Sequence, residues 1–366
     1  MQPSRVALLE VLAQAPDPRD PRGVRHPLVG LLAASICAVL TGARSFAAIA
    51  DWTGELCRAD LARLRLTWAS PPEETTFRRV LSSVDAAVLD TLIGAFMWLR
   101  TSVIEGRRVV AIDGKTTRGA RTPTQAAPHL VAMFDQTAGV VLRQLATAAK
   151  SNEIPVVRTL LNSIDLSADG GVVVTVDAMH TQTETADLIV AGGGDYVFTV
   201  KANQPSLYKA CKALPWKNVP AHTTTQTGHG RRATRTIKVV DAPAWITFTG
   251  AKQVAQVRRT TTRGGKKSVE VVYVITSADA RSASPATLAA WVQNHWGIEN
   301  RCHYVRDVTF DEDRSRARTG NAPQVMACLR NTAINLLRLH GATNIAAGLR
   351  HHAARPERPI KLVLTS

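Results

Sequence analysis

Apolar residues recur every three to four positions along the first hundred residues, the period of a helix with one buried face. "TTFRRVLSSVDAAVLDTLIGAFMWL" carries this spacing throughout, and "SFAAIADWTGELCRADLARL" also reads as helical. From Leu28 to Ala43 the spacing gives way to a continuous apolar run, "LVGLLAASICAVLTGA", behind the turn-rich entry "DPRDPRGVRHP". The run is shorter than the ~20 residues that span a bilayer. It also begins too late, after acidic residues, for a signal peptide. A buried helix is the expectation. The region 1–100 is therefore expected as an all-helical domain, either a scaffold or a DNA-contacting module in which Arg78 and Arg79 sit beside a helix start.

After Arg107 the period shortens. Val109 to Ile112 reads as a buried strand, and "HLVAMFD" and "VVLRQLATAA" as two more joined near Gly139. "NEIPVVRTLLNSI" predicts a short helix capped by Asn152. "GVVVTVD" predicts a second fully apolar strand, "TQTETADLIVAGG" a helix stopped by glycines, and "DYVFTVK" another strand. Three strands followed by alternating helix and strand imply an α/β domain with a mixed sheet. Residues 214–278 are β-rich and crowded with Arg and Lys, as in "RRATRTIKVV" and "QVAQVRRTTTR". Helix returns at "SPATLAAWVQNHWGIENRCHYVRD", with Ser284 as cap and Pro285 in the first turn, and again at "APQVMACLRNTAINLLRLH". The expected organisation is a helical domain over 1–100, an α/β region over 101–213 that helices over 279–341 resume, a basic β-rich segment over 214–278 between them and a tail over 342–366.

Charge changes this picture from a generic α/β protein to one with a polyanionic partner. Lys and Arg number 45 against 29 Asp and Glu, a net charge of +16. Nucleic acid is the simplest such partner. The bases are spread along the chain rather than gathered in an amphipathic stripe, which argues against a membrane surface. Five scattered cysteines support neither a disulfide framework nor a zinc cluster, and point to a reducing, cytoplasmic compartment. No Walker phosphate loop and no G-x-S-x-G elbow occurs, so nucleotide use and serine nucleophilic catalysis find no support.

Two carboxylates stand out, because Asp113 and Asp177 each close an apolar strand at its carboxyl end, the edge at which α/β sheets bind ligands. On neighbouring parallel strands they would lie on axes about 4.8 Å apart. At 4 Å two such charges repel by about 4 kcal/mol at an effective dielectric of 20. Such a pair shares a proton or holds a cation, and hard oxygen donors favour Mg2+, with Mn2+ an alternative. A third acid is offered by Glu299, where Trp296, Glu299, His303 and Arg306 are spaced to share one helix face. Asp307 is its rival. Three acids on a basic chain suit two-metal phosphoryl transfer. Lys115, and Lys201, Asn203 and Gln204 at a strand end, are candidate DNA contacts. So are Arg231, Arg232, Arg258 and Arg259 in the β-rich segment, where backbone phosphate binding is expected rather than base readout. Trp216 or Trp245 could stack on a displaced base or simply pack, and His180 could touch substrate or hold its turn.

These residues also resemble a family. "DPRDPRGVRHPL", "AIDGKTTRG", "KSNEIP", "TVDAMHTQ", "YVFTVKANQ", "HWGIEN" and "RDVTFDEDRSRARTGNAP" occur in the order found in bacterial insertion-sequence transposases of the ISAs type, the H-repeat-associated proteins. The likeness runs from about residue 17 to 350. It implies a ribonuclease H-like mixed-sheet catalytic core with a β-rich insertion and an all-helical N-terminal domain. It implies that Asp113, Asp177 and Glu299 are the catalytic acids, and that Arg306 is the basic residue that contacts the DNA-end phosphate. The family's tyrosine and first arginine positions are not clearly matched; Asn294 and His295 stand nearby, and Cys302 and Tyr304 replace the usual Leu and Trp. The resemblance further implies cleavage at element ends, strand transfer into target double-stranded DNA, a homodimer on DNA and association with the bacterial nucleoid. A host-repurposed nuclease without strand transfer and a non-catalytic DNA-binding protein are the alternatives.

Overall fold

The computed structural model describes residues 7–67, 69–101, 106–147, 153–228 and 230–366. Asn152, the expected helix cap, lies outside them. The chain divides into two compact units: Met1–Ser102, Gly114–Val156 and Ile298–Ser366 form the first, and Val103–Asp113 with Val157–Gly297 the second.

The first unit opens with six helices: α1 (Leu8–Leu12), α2 (Leu28–Leu40), α3 (Phe46–Gly54), α4 (Arg58–Arg63), α5 (Glu74–Ser83) and α6 (Ala86–Arg100). The continuous apolar run forms α2, buried around nearly its whole circumference. Ser45 caps α3 through the amide of Ala48, and Asp85 caps α6 through those of Ala87 and Val88. The hairpin β2 (His129–Asp135) and β3 (Val141–Thr147) packs β3 against α6. The long α11 (Ala322–Leu339) lies on α2, α5 and α6. Its polar residues are buried yet bonded: Asn335 accepts from the Val141 amide and donates to the Val141 carbonyl, both at 2.8 Å. Residues 342–366, expected as a tail, carry two helices, α12 (Ile345–Ala353) and α13 (Glu357–Thr365). The amphipathic α13 packs on α2.

The second unit is built on a sheet. β1 (Val109–Thr116) crosses from this unit into the first at Gly114. β4 (Val173–Val176) pairs parallel to β1, and β5 (Asp195–Val200) parallel to β4. Four strands follow: β6 (Ala221–Gly228), β7 (Arg231–Asp241), β8 (Gln253–Arg263) and β9 (Lys266–Thr276). They form an antiparallel ribbon, and β9 joins it to β5. The strand order is β3-β2-β1-β4-β5-β9-β8-β7-β6. The β8–β9 turn holds both Gly264 and Gly265 at positive φ, as a two-residue hairpin requires. The helices here are α8 (Thr183–Ala191), α9 (Pro205–Lys212) and α10 (Pro285–His295), with α7 (Glu153–Leu161) shared between the units. Ser284 caps α10 as expected. One core unites Val109, Val173, Val197, Ile237, Ala255 and Val274 with Leu288 of α10. Among the described residues no single helix is long and apolar enough to cross a membrane.

Candidate active site

The register of β1 and β4 places Ile112 opposite Val176. Asp113, one residue further on within β1, and Asp177, the first residue after β4, therefore lie at the same level of neighbouring parallel strands; β1 itself continues to Thr116, so the strand end expected at Asp113 is instead only the end of its pairing with β4. Val109, Ala111 and Asp113 alternate onto one face of the sheet, as do Val173, Thr175 and Asp177. This is the face on which Val109 and Val173 meet α10.

The turn after Asp177 is firmly held. Asp177 Oδ1 accepts from the Ala178 amide at 2.6 Å. Asn203 Nδ2 donates to the Ala178 carbonyl at 2.7 Å, and Gln204 Nε2 to the Thr181 carbonyl at 2.9 Å. Thr181 Oγ1 donates to the Thr199 carbonyl of β5 at 2.7 Å. Asn203 and Gln204, expected to touch DNA, thus direct their amide groups to the backbone that follows the second acid. Lys201 Nζ stands 3.7 Å from Asp177 Oδ1, with both side chains half exposed, so a ligand can still reach them. The sequence offers no direct sign of His295, at the end of α10. Its Nδ1 lies 2.9 Å from the Thr175 hydroxyl, two residues before Asp177. Burial pulls its pKa down to about 4, against the raising effect of Asp177, so the ring is neutral at pH 7. The two-residue offset of Thr175 from Asp177 was the available clue, since it puts both on one face.

From Gly114 onward β1 belongs to the first unit. Gly114 has no room for a side chain: a Cβ there would lie 2.4 Å from His129 Nε2 and 2.8 Å from Glu153 Oε2. His129 and Glu153 are themselves paired at 2.7 Å and buried. Gly114→Ala should therefore cost about 1–3 kcal/mol by overpacking, seen as a lower thermal midpoint. An unchanged midpoint would show that the pair moves aside freely.

Two expected phosphate contacts, Lys115 and Arg306, are engaged by carboxylates of the first unit. Lys115 is buried, with Nζ 2.6 Å from Asp307 Oδ1, 3.8 Å from Asp313 and 4.0 Å from Glu312. Three carboxylates enclose the ammonium, which neutralises it where DNA would otherwise have done so. Arg306 is fully buried. Its Nε bonds Glu312 at 2.9 and 3.1 Å, Nη2 bonds Glu312 at 2.8 Å, and Nη1 bonds Gln144 at 2.8 Å. Asp307, the rival third acid, is engaged by Lys115, and burial raises its pKa in spite of that lysine.

Glu299 is exposed and lies in a π-helical stretch, Ile298–His303, followed by a second, Val305–Thr309. Bonding from i to i+5 widens each turn, so the expected single stripe splits: Trp296 and Glu299 face out, His303 and Arg306 in. Such π turns gather at functional positions.

The Asp113–Asp177 pair fits a hard divalent cation, being oxygen-donor side chains at one level of two adjacent strands with Asp177 open to solvent. Among the described residues no three His, Cys, Asp or Glu side chains are grouped to hold a metal ion.

A mixed sheet behind a helical N-terminal region sets the frame in which the family is found. Residues 104–336 match the family model described as "Transposase DDE domain", and residues 9–97 the one described as "DDE_Tnp_1-associated". The chain is 34% identical over 348 residues to the "H repeat-associated putative transposase YhhI" of Escherichia coli strain K12, covering 90% of each chain. It is 35% identical over 348 residues to the "Putative protein YbfL" of the same strain, again covering 90% of each. It is 31% identical to the "Putative transposase YncI" of Escherichia coli O157:H7, covering 91% of this chain and 87% of that one. The chain belongs to the DDE transposase family, and its α/β fold is that family's ribonuclease H-like core.

Proposed function

We propose that this DNA transposase cuts DNA at the ends of an insertion sequence and transfers those ends into target DNA, using Asp113, Asp177 and Glu299 as its catalytic acids. The observation that carries this reading is the β1–β4 register, which sets two carboxylates side by side at the ligand-binding edge of a parallel sheet. Mg2+ or Mn2+, when bound, would supply an activated water or 3′-hydroxyl and neutralise charge on the leaving oxygen. The chain's own part is to hold the donors still. Asn203, Gln204 and Thr181 fix the turn behind Asp177, and Thr175 with His295 ties its strand to α10. Lys201 balances charge at Asp177 until the site is filled. The basic β ribbon, with Arg231 and Arg259 among its bases, supplies backbone contacts to duplex DNA. Joining two ends calls for a homodimer on DNA.

The test is incubation with the gene's flanking DNA and magnesium, with strand ends mapped at nucleotide resolution. Discrete nicks at the element boundaries, and joined products when pre-cleaved ends meet target DNA, are expected. Cleavage without joining would leave a nuclease; no cleavage would leave a DNA-binding protein.

A further inference from the structure

The ribbon β6–β9 is dense in Arg and Lys, and its register sorts that charge by face. Residues paired across strands lie side by side on one face. Arg231 pairs with Arg263, and Arg263 with Lys266; Arg235 pairs with Arg259. These five bases share one face, with Glu270 the acid opposite Arg259. Among the described residues none of the five has an ion-pair partner, and the buried Arg259 Nε has no hydrogen-bond partner. Arg235 donates to the neutral Gln226 at 3.0 Å. Partial burial lowers its pKa, and Arg259 and Arg231 add to the effect. Like charges directly across a ladder oppose pairing, so folding alone gives no reason for them.

The other face is different. Arg232 and Lys267 both flank Thr262, and Arg258 sits between Thr236 and Val271. No base faces a base there, and Val269 and Val271 lie exposed among threonines.

Two further facts orient the arginine face. Ile237, Ala255 and Val274 occupy it nearer the sheet and pack with Val109, Val173 and α10. It is therefore the same side of the sheet onto which Asp113 and Asp177 alternate. Val200, at the carboxyl end of β5, pairs with Tyr273. The ribbon beyond Tyr273 thus runs outward from the edge where those carboxylates lie, with Glu270 about 10 Å and Lys266 about 23 Å further along.

The geometry points to the face bearing Arg231, Arg235, Arg259, Arg263 and Lys266 as the surface that grips the phosphate backbone of duplex DNA leading to the acids, while the threonine–valine face stays off it. This deepens the reading of the chain as DNA-acting and withdraws Arg232 and Arg258 from the contact. Binding here is independent of sequence, because the guanidinium groups are proposed to reach phosphates and no base edge is addressed.

Two double variants of equal charge test it: R235Q/R259Q on the arginine face and R232Q/R258Q on the other. Each full-length protein is titrated with a random-sequence duplex, without metal, over a range of salt. R235Q/R259Q should bind at least about tenfold more weakly, with the log–log salt slope reduced by about 2, near 0.9 per lost phosphate contact. R232Q/R258Q should keep the parent slope. R231Q/R263Q, close to the hairpin turn, repeats the measurement where folding is least exposed to change, and thermal midpoints accompany all three. Equal losses from both faces, an unchanged slope in R235Q/R259Q, or no duplex binding by the parent would overturn the assignment. Because cleavage is not measured, a parent that fails to cut DNA but shows this face dependence would sink the transposase chemistry and leave the surface standing.

Discussion

Asp113→Ala should lose metal-dependent strand cleavage by about 10³-fold or more while binding duplex DNA with parent affinity and salt slope. A 10³-fold loss corresponds to about 4 kcal/mol of transition-state stabilisation, a modest demand on a group that holds a divalent ion against a developing oxyanion. The selectivity follows from placement. Asp113 lies where the pairing of β1 with β4 ends, level with Asp177, whereas the bases proposed to hold DNA lie on the ribbon. Removing one of two neighbouring carboxylates also relieves repulsion in the metal-free protein, so the thermal midpoint should not fall. The measurement pairs mapped cleavage products with a metal-free binding titration. A variant that cuts at even a tenth of the parent rate would remove Asp113 from the chemistry. One that loses cleavage and binding together, with a lowered midpoint, would show a structural role instead.

Glu312→Gln should be the most destabilising single change in the first unit. Glu312 is buried, bridging Arg306 on one side and Arg330 at 3.0 Å on the other. Removing one partner of a buried ion pair costs about 3–5 kcal/mol, because the remaining charge is stranded, and here two guanidinium groups are left. Thermal unfolding should show a midpoint lowered by roughly 10 °C. The pH dependence carries a second signature. Burial alone would raise the Glu312 pKa; Arg306 and Arg330 overcome it and hold the carboxyl at about 2, against an ordinary 4.5. A folded-state pKa below the unfolded one stabilises fully above 4.5 and fades as pH falls toward 2. The parent should therefore lose stability across that interval faster than Glu312→Gln. Parallel curves, or a midpoint within about 2 °C of the parent at neutral pH, would refute the account.

Much of the architecture was open to reading because its causes are local. The all-apolar α2, the Ser284 cap of α10 and the buried strands β1 and β4 follow from residue type and spacing alone. Asp113 and Asp177 stood out for the same reason, as charges that follow apolar runs, although β1 in fact runs on past Asp113 to Thr116. Helix α9 escaped because "PSLYKACK" is short and only partly apolar. The terminal helices α12 and α13 escaped because their apolar faces are recognisable only once α11 and α2 are there to receive them.

Other residues could be judged only in three dimensions. Lys115 and Arg306 read as phosphate ligands because in a sequence a base has no visible partner. The fold supplies Asp307 and Glu312 at 2.6–3.1 Å, and a buried charge takes the nearest counter-charge. The Glu299 stripe failed because a π turn changes the period that any spacing argument assumes. The sequence by itself determined most of the elements, the charge and the apolar runs that lead into Asp113 and Asp177, since each depends on contacts within a few residues. Which acids stand side by side, which bases are buried and which face of the ribbon gathers its arginines were decided by strand register. Register is set by pairing between segments far apart in the chain, and a shift of one residue would send every side chain to the opposite face.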